Sequence, residues 1–157
     1  MSVRAYIGLG ANLGDGPATL RAVLAEISAL SGVRRCEASP FYRSAPVEAS
    51  GPDFTNAAAA LDTTLTPLEL LDALQDLERC HGRQRPYKNA PRTLDLDLLI
   101  YGDLVMDTPR LVLPHPRLHE RAFVLYPLRD IAPTLRFAQG TYCDLLRALN
   151  DQAIERL

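Results

Sequence analysis

The period of the apolar positions changes several times along the chain, and each change marks an element. Residues 3 to 9, VRAYIGL, are apolar and β-prone and run into the glycine-rich turn GANLGDGP. From Pro17 to about Leu30, residues Leu20, Val23, Leu24, Ile27 and Leu30 recur at helical spacing, with Pro17 suited to a first turn and Gly32 placed to stop the helix. Residues 33 to 44 and 53 to 63 read as two extended stretches, with Pro46, Gly51 and Pro52 punctuating the loop between them. The alanine run in the second favours helix on propensity alone. It lies between loop signals, however, and a better helix follows at once, so strand is the assignment. That helix opens with Thr66 and Glu69 as a capping box and Pro67 at its first position; Leu68, Leu71, Leu74 and Leu77 form its stripe, and it ends near Gly82. In residues 94 to 101, LDLDLLIY, Leu94, Leu96 and Leu98 alternate with Asp95 and Asp97, a strand that places both carboxylates on one face.

Up to this point the order is β-α-β-β-α-β, which predicts an α+β fold: a ferredoxin-like antiparallel sheet with helices packed on it. After Gly102, prolines at 109, 114, 116, 127 and 133 predict loops and short helical turns wrapping the sheet, with a short helix near Tyr142 to Leu149. This part is a C-terminal extension of the core.

Composition narrows the class. The 157 residues fit one domain, 1–157, and 47% hydrophobic with 23% charged residues is ordinary for a globular protein. No apolar run approaches the ~20 residues of a membrane span, and the stretch MSVRAYIGLG lacks the long apolar run and cleavage site expected of a signal peptide. Cys36, Cys80 and Cys143 are odd in number and widely spaced, which fits a reducing cytoplasm and gives no zinc-ligand spacing. A formal net charge of −2 gives no support for broad nucleic-acid binding. Small-molecule substrates, no nucleic acid and a monomer are the expectation.

Any basic site must therefore be local, and residues 82 to 93 supply one, with Arg83, Arg85, Lys88 and Arg92. It runs straight into Asp95 and Asp97. Two carboxylates one residue apart repel unless something positive sits between them, and a hard divalent cation is the commonest remedy. A strand with one solvated face would alternate in the same way. The glycines Gly8, Gly10 and Gly14, with Glu37 downstream, invite a dinucleotide-binding reading. The spacing is off by one and the βα alternation does not continue, so that reading is set aside. There is no GxxxxGK[ST] phosphate loop either.

Residues Lys88-x-Ala90-Pro91-Arg92-x-x-Asp95-Leu96-Asp97-Leu98-Leu99 decide the matter. With IGLGANLGD, FYRSAPV, DFTNAAAAL and LPHPRLHERAFVLYPLRDIAP in order around them, the sequence resembles the 6-hydroxymethyl-7,8-dihydropterin pyrophosphokinase family over nearly its whole length. The resemblance implies transfer of the β,γ-pyrophosphoryl group of ATP to the pterin hydroxymethyl oxygen, releasing AMP, in folate biosynthesis. It implies two Mg2+ ions held by Asp95 and Asp97. It places Gln75, Glu78, Arg83, Arg85, Arg92, Arg110, His115 and Arg121 around the nucleotide, with Arg83 and Arg92 catalytic beside the aspartates. For the pterin it names Ser44, Ala45, Val47, Phe54, Asn56 and Phe123. Two aromatic faces can sandwich a flat heterocycle while an amide and backbone groups pair with its polar edge. Asn89 and Val112 stand where tryptophan and threonine are common in the family.

Two other functions remain to be separated. Another magnesium-dependent phosphoryl-transfer enzyme using the same aspartates would release ADP or inorganic phosphate. A ferredoxin-like module gripping RNA through the basic loop would perform no chemistry, but without metal its acidic pair would repel phosphate.

Overall fold

A computed structural model describes residues 2–12, 15–45, 53–81 and 94–157. The elements are β1 (Val3–Ala11), α1 (Gly16–Ser28), β2 (Val33–Ala38), β3 (Tyr42–Ser44), β4 (Phe54–Thr63), α2 (Pro67–Cys80) and β5 (Leu94–Tyr101). Then come β6 (Met106–Asp107), β7 (Val112–Leu113), a 3-10 turn at Leu118–Glu120, α3 (Ala122–Ile131), α4 (Tyr142–Ala148) and β8 (Ile154–Arg156). The class is mixed α and β with an antiparallel sheet, as the sequence predicts.

Six of the eight described strands form one sheet in the order β5-β1-β4-β3-β8, with β2 also paired to β4, and β6 and β7 pair with each other apart from it. The alanine run is strand: Ala57 to Ala60 pair with Leu9 to Tyr6 of β1. Pairing with β1 along the whole run, and with β2 at Ala59 and Ala60, leaves it no freedom to coil. Residues 33 to 44 are interrupted where the sequence reads one stretch. Pro40 has no N–H to give the ladder. Ser39 stands in for it, donating its N–H to the Ala58 carbonyl and accepting the Ala58 N–H on its hydroxyl at 2.9 Å.

Each face of the sheet carries its own core. On one side Leu20, Val23 and Ile27 of α1 and Leu70, Leu74 and Leu77 of α2 pack on Ile7, Leu9, Leu94, Leu96 and Leu98. The capping box of Thr66 and Glu69 starts α2, and Asp15 caps α1. On the other side Leu125 and Leu128 of α3 and Leu145 and Leu146 of α4 pack on Ala58 and Leu99. Full burial of one such leucine is worth roughly 1.5–3 kcal/mol relative to exposure.

The helix α3 corrects the expectation of loops and short turns after Gly102. Its ten residues run through Pro127. A proline inside a helix costs ~3 kcal/mol or more. Here it is offset by the buried face of Val124, Leu125 and Leu128. The far end is tied down by the Tyr42 hydroxyl, which donates to Asp130, and by the Tyr142 hydroxyl, which donates to the Ala132 carbonyl at 2.8 Å. Burial first, and then the Asp130 carboxylate, push the Tyr42 hydroxyl up to about 12, so it stays a donor. Among the described residues no helix is long and apolar enough to cross a membrane.

Candidate active site

The period of two in β5 sends Leu94, Leu96 and Leu98 into the α1/α2 core and leaves Asp95 and Asp97 half-buried on the α3 side. Their neighbours across β1 are glycines: Gly10 opposite Asp95 and Gly8 opposite Asp97. On the other flank of β1, Gly10 faces Asn56 of β4. A Cβ on Gly10 would lie 3.4 Å from Asn56 Oδ1 and 3.5 Å from Phe54 Cδ1, ordinary contact distances. Glycine is thus not demanded by the backbone there; it keeps the floor of a cleft open.

That cleft, of about 330 Å3, is lined by Gly8, Gly10, Ser44, Ala45, Phe54, Asn56, Asp95, Asp97, Arg121 and Phe123. Asn56, only 3% exposed, donates from Nδ2 to the Ser44 hydroxyl at 2.6 Å, which fixes an amide on the cleft wall. Arg121 stands at the start of α3 with Nη1 3.9 Å from Asp97 Oδ2 and its guanidinium carbon 5.6 Å from the centre of the Phe123 ring. The guanidinium so joins the aromatic wall to the carboxylates.

A second cleft, of about 310 Å3, opens on the α2 side and is lined by Gln75, Glu78, Asp95, Asp97, Arg110 and His115 among others. Among the described strands β5 lies at the edge of the sheet, and Glu78 Oε2 accepts the Leu96 N–H at 2.8 Å. A side chain from α2 thereby takes the place of a missing neighbouring strand at the residue between the two aspartates. Arg110 is exposed and pairs with Asp72 of α2. His115 donates its backbone N–H to the Leu99 carbonyl at 2.8 Å, and its Nδ1 accepts the Arg117 N–H at 3.1 Å. Burial chiefly, and the nearby Arg121 charge, hold its imidazole below the usual 6.5, with Asp95 pulling the other way.

The structure therefore brings together Ser44, Ala45, Phe54, Asn56, Arg121 and Phe123 on one side, Gln75, Glu78, Arg110 and His115 on the other, and Asp95 and Asp97 on both. Val47, Arg83, Arg85 and Arg92 lie outside the described residues, as do Lys88 and Asn89. Val112, the other departure from the family pattern, lines the second cleft and is 37% exposed. Sequence reasoning missed Gly8 and Gly10, which it set in a strand end and a turn. Two glycines at i and i+2 on one strand face were the available signal. It also missed Arg117, Glu120 and Gln152, which line the first cleft from the C-terminal third of the chain.

Such an arrangement suits a flat polar ring in the first cleft and a polyanion in the second, with a carboxylate pair between them. The donor set fits magnesium, which is usually held by one or two carboxylates together with phosphate oxygens and water.

Comparison with known proteins points the same way. The family model for 7,8-dihydro-6-hydroxymethylpterin-pyrophosphokinase (HPPK) matches residues 6–133. A Pseudomonas aeruginosa protein named 2-amino-4-hydroxy-6-hydroxymethyldihydropteridine pyrophosphokinase is 46% identical over 100% of this chain and 98% of its own length. A Bacillus subtilis protein of the same name is 40% identical over 81% of this chain and 77% of its own. Among solved structures, Plasmodium falciparum HPPK-DHPS with pteroate aligns with a TM-score of 0.74 at 12% identity, a likeness of fold. It covers 95% of this chain, which spans 42% of that one.

Proposed function

The chain belongs to the HPPK family, and from that premise we propose how its residues carry out the reaction. It transfers pyrophosphate from ATP to 6-hydroxymethyl-7,8-dihydropterin in folate biosynthesis. The observation that carries the reading is that Asp95 and Asp97 line both clefts at once. A group moving from an occupant of one to an occupant of the other must pass them.

The pterin ring lies in the first cleft between Phe54 and Phe123, its polar edge toward Asn56, Ser44 and the backbone at Ala45 and Val47. ATP lies in the second, against Gln75, Glu78, Arg110 and His115, with Arg83, Arg85, Arg92 and Arg121 around its phosphates. The hydroxymethyl oxygen attacks the β-phosphorus, the bond to the α,β-bridging oxygen breaks, AMP leaves, and the hydroxyl proton passes to solvent. Asp95 and Asp97 are the residues that would hold two magnesium ions, which when bound would neutralise charge on the phosphates. Arg121, already between Asp97 and the Phe123 ring, needs little rearrangement to meet the transferring group. His115 offers its Nε2 proton to a phosphate oxygen, because its Nδ1 is taken by the Arg117 N–H. With no protein nucleophile required, positioning and electrostatic stabilisation supply the catalysis.

The strand order β5-β1-β4, with β2 and β3 both paired to β4 and with α1 and α2 on one face, supports reading the core as ferredoxin-like. One domain, acting as a cytoplasmic monomer on small molecules and not on nucleic acid, accompanies this reading.

Incubation with ATP, magnesium and hydroxymethyl-dihydropterin, followed by separation of AMP from ADP, is the test. AMP formed only when pterin is present is the expected result; ADP or inorganic phosphate would replace this reading with a kinase or phosphatase. Asp95→Ala and Asp97→Ala should each lose more than about tenfold in turnover, a barrier change of ~1.4 kcal/mol. Their thermal midpoints should stay near wild type, since each change relieves like-charge repulsion while Asp97→Ala also gives up the Arg121 contact. Turnover retained at saturating magnesium in either variant would remove the metal role.

A further inference from the structure

The residues matched by the family model end at 133, yet the first cleft is completed by a residue well beyond them. After α4 the chain turns, the Gln152 N–H bonding the Leu149 carbonyl at 3.0 Å, and this presents the Gln152 side chain to the start of α3. Its Oε1 accepts the Ala122 N–H at 2.8 Å and its Nε2 donates to the Glu120 carbonyl at 2.9 Å. The amide thus pairs with the backbone on either side of Arg121.

The N-terminal residues of a helix leave N–H groups without intrahelical partners, and α3 has no side-chain cap from its own Arg121. Gln152 supplies one from 30 residues away. Among the side chains that ionise little near neutral pH, a primary amide carries a donor and an acceptor side by side, the pattern a peptide group presents to another. The residue so clamped is the one whose guanidinium reaches Asp97 and overlies Phe123, with Phe123 two positions further on. The same segment then continues into β8, where Ile154 pairs with Ser44 on the opposite wall of the cleft.

We propose that Gln152 is a positioning residue of the pterin cleft: by bridging Glu120 and Ala122 it fixes where Arg121 and Phe123 stand. The inference rests on the reading of the first cleft as the pterin site. It assigns to the C-terminal segment a part in substrate recognition, acting through Arg121 and Phe123.

Gln152→Ala removes both bonds. Gln152→Glu keeps the size of the side chain and the acceptor for Ala122 but sets a carboxylate against the Glu120 carbonyl. Titration of hydroxymethylpterin and, separately, of a non-hydrolysable magnesium-ATP analogue into wild type and both variants, with thermal midpoints recorded, tests the idea. Pterin affinity should fall about tenfold in each variant, the scale of one to two ordinary hydrogen bonds. Analogue affinity should fall less than pterin affinity, because Arg121 is one of several groups around the phosphates and Gln75, Arg110 and His115 line the other cleft, and the thermal midpoints should drop only slightly, as expected for the loss of one helix cap. Equal losses for both ligands together with a strongly lowered midpoint would make Gln152 a general brace and overturn the proposal. Unchanged pterin affinity in both variants, beside tight wild-type binding, would overturn it alone. No wild-type pterin binding would overturn the assignment of the cleft as well.

Discussion

His115 illustrates what one side chain's protonation state can accomplish. Its backbone is held to Leu99, and its Nδ1 is occupied by the Arg117 N–H, so a neutral ring carries its proton on Nε2. Burial, then Arg121 and Arg117, keep the ring neutral near pH 7 against the pull of Asp95. It can donate to a phosphate without adding a charge that Arg121 would resist. The sign of the stability effect follows from the direction of this shift. The unfolded chain takes up this proton at about 6.5, ahead of the fold. His115 therefore contributes stability above that pH and loses it as pH falls toward the lower folded value, with no further loss below. NMR titration of the imidazole in magnesium-free protein should give a midpoint below 6.5, moving up when an ATP analogue brings phosphate charge. A free-protein midpoint at or above 6.5 would show that burial does not govern the ring. At this scale the sequence was most informative for charged residues in a period: Asp95 and Asp97 were readable because alternation alone puts them on one face. Gln152 was not, since an isolated glutamine in a C-terminal turn carries no pattern and its two bonds exist only once α4 is folded against α3.

Among the elements, β1 does more than its sequence announces. It lies between β4 and β5, where glycine in a strand interior ordinarily weakens the structure, yet two of its pocket-facing positions are glycines. Their use is spatial: any side chain there would enter the first cleft. Gly10→Val should leave the thermal midpoint unchanged or raised, because a β-branched residue suits a central strand and the contacts met by Cβ are of ordinary length. Pterin affinity should drop by more than about tenfold, measured by titration, as the new methyl groups take up ligand space. Preserved pterin binding in a folded Gly10→Val protein would mean that the cleft floor is not in contact with the ring. Element boundaries were legible wherever capping and period agreed, as at Thr66 with Glu69 or along β4 and β5. They were lost where packing overrode a local rule. The prolines of the C-terminal third spoke for loops, whereas α3 survives Pro127 because its apolar face is buried against Ala58, Leu99 and α4. The short strand β8 has no periodic signature of its own; pairing with β3 creates it.

At the scale of the whole molecule, two helical layers share a single sheet, and the site belongs to both. Asp95 and Asp97 project from a strand whose leucines are anchored in the α1/α2 core, while Arg121 and Phe123 hang from the α3/α4 layer. Geometry between them is kept only while both layers stay docked. Fully buried Leu20 and Leu125 lie in different cores, and replacing either by alanine should cost on the order of 2–5 kcal/mol. If the layers are coupled through the sheet, each variant should lower one common transition. The chain has no tryptophan, and of its six tyrosines Tyr6, Tyr126 and Tyr142 pack in the α3/α4 core while Tyr101 packs in the other, so tyrosine fluorescence is weighted toward the α3/α4 layer while far-UV circular dichroism reports the whole. The expected outcome is coincident denaturant transitions by the two probes in wild type, Leu20→Ala and Leu125→Ala, the mark of two-state unfolding. Fluorescence changing before circular dichroism in Leu125→Ala would show the second layer peeling away alone. Pterin binding would then fail while the carboxylate strand was still folded. Coincidence instead means that no partly unfolded form keeps the aspartates and loses the aromatic wall, so the site is present whole or not at all.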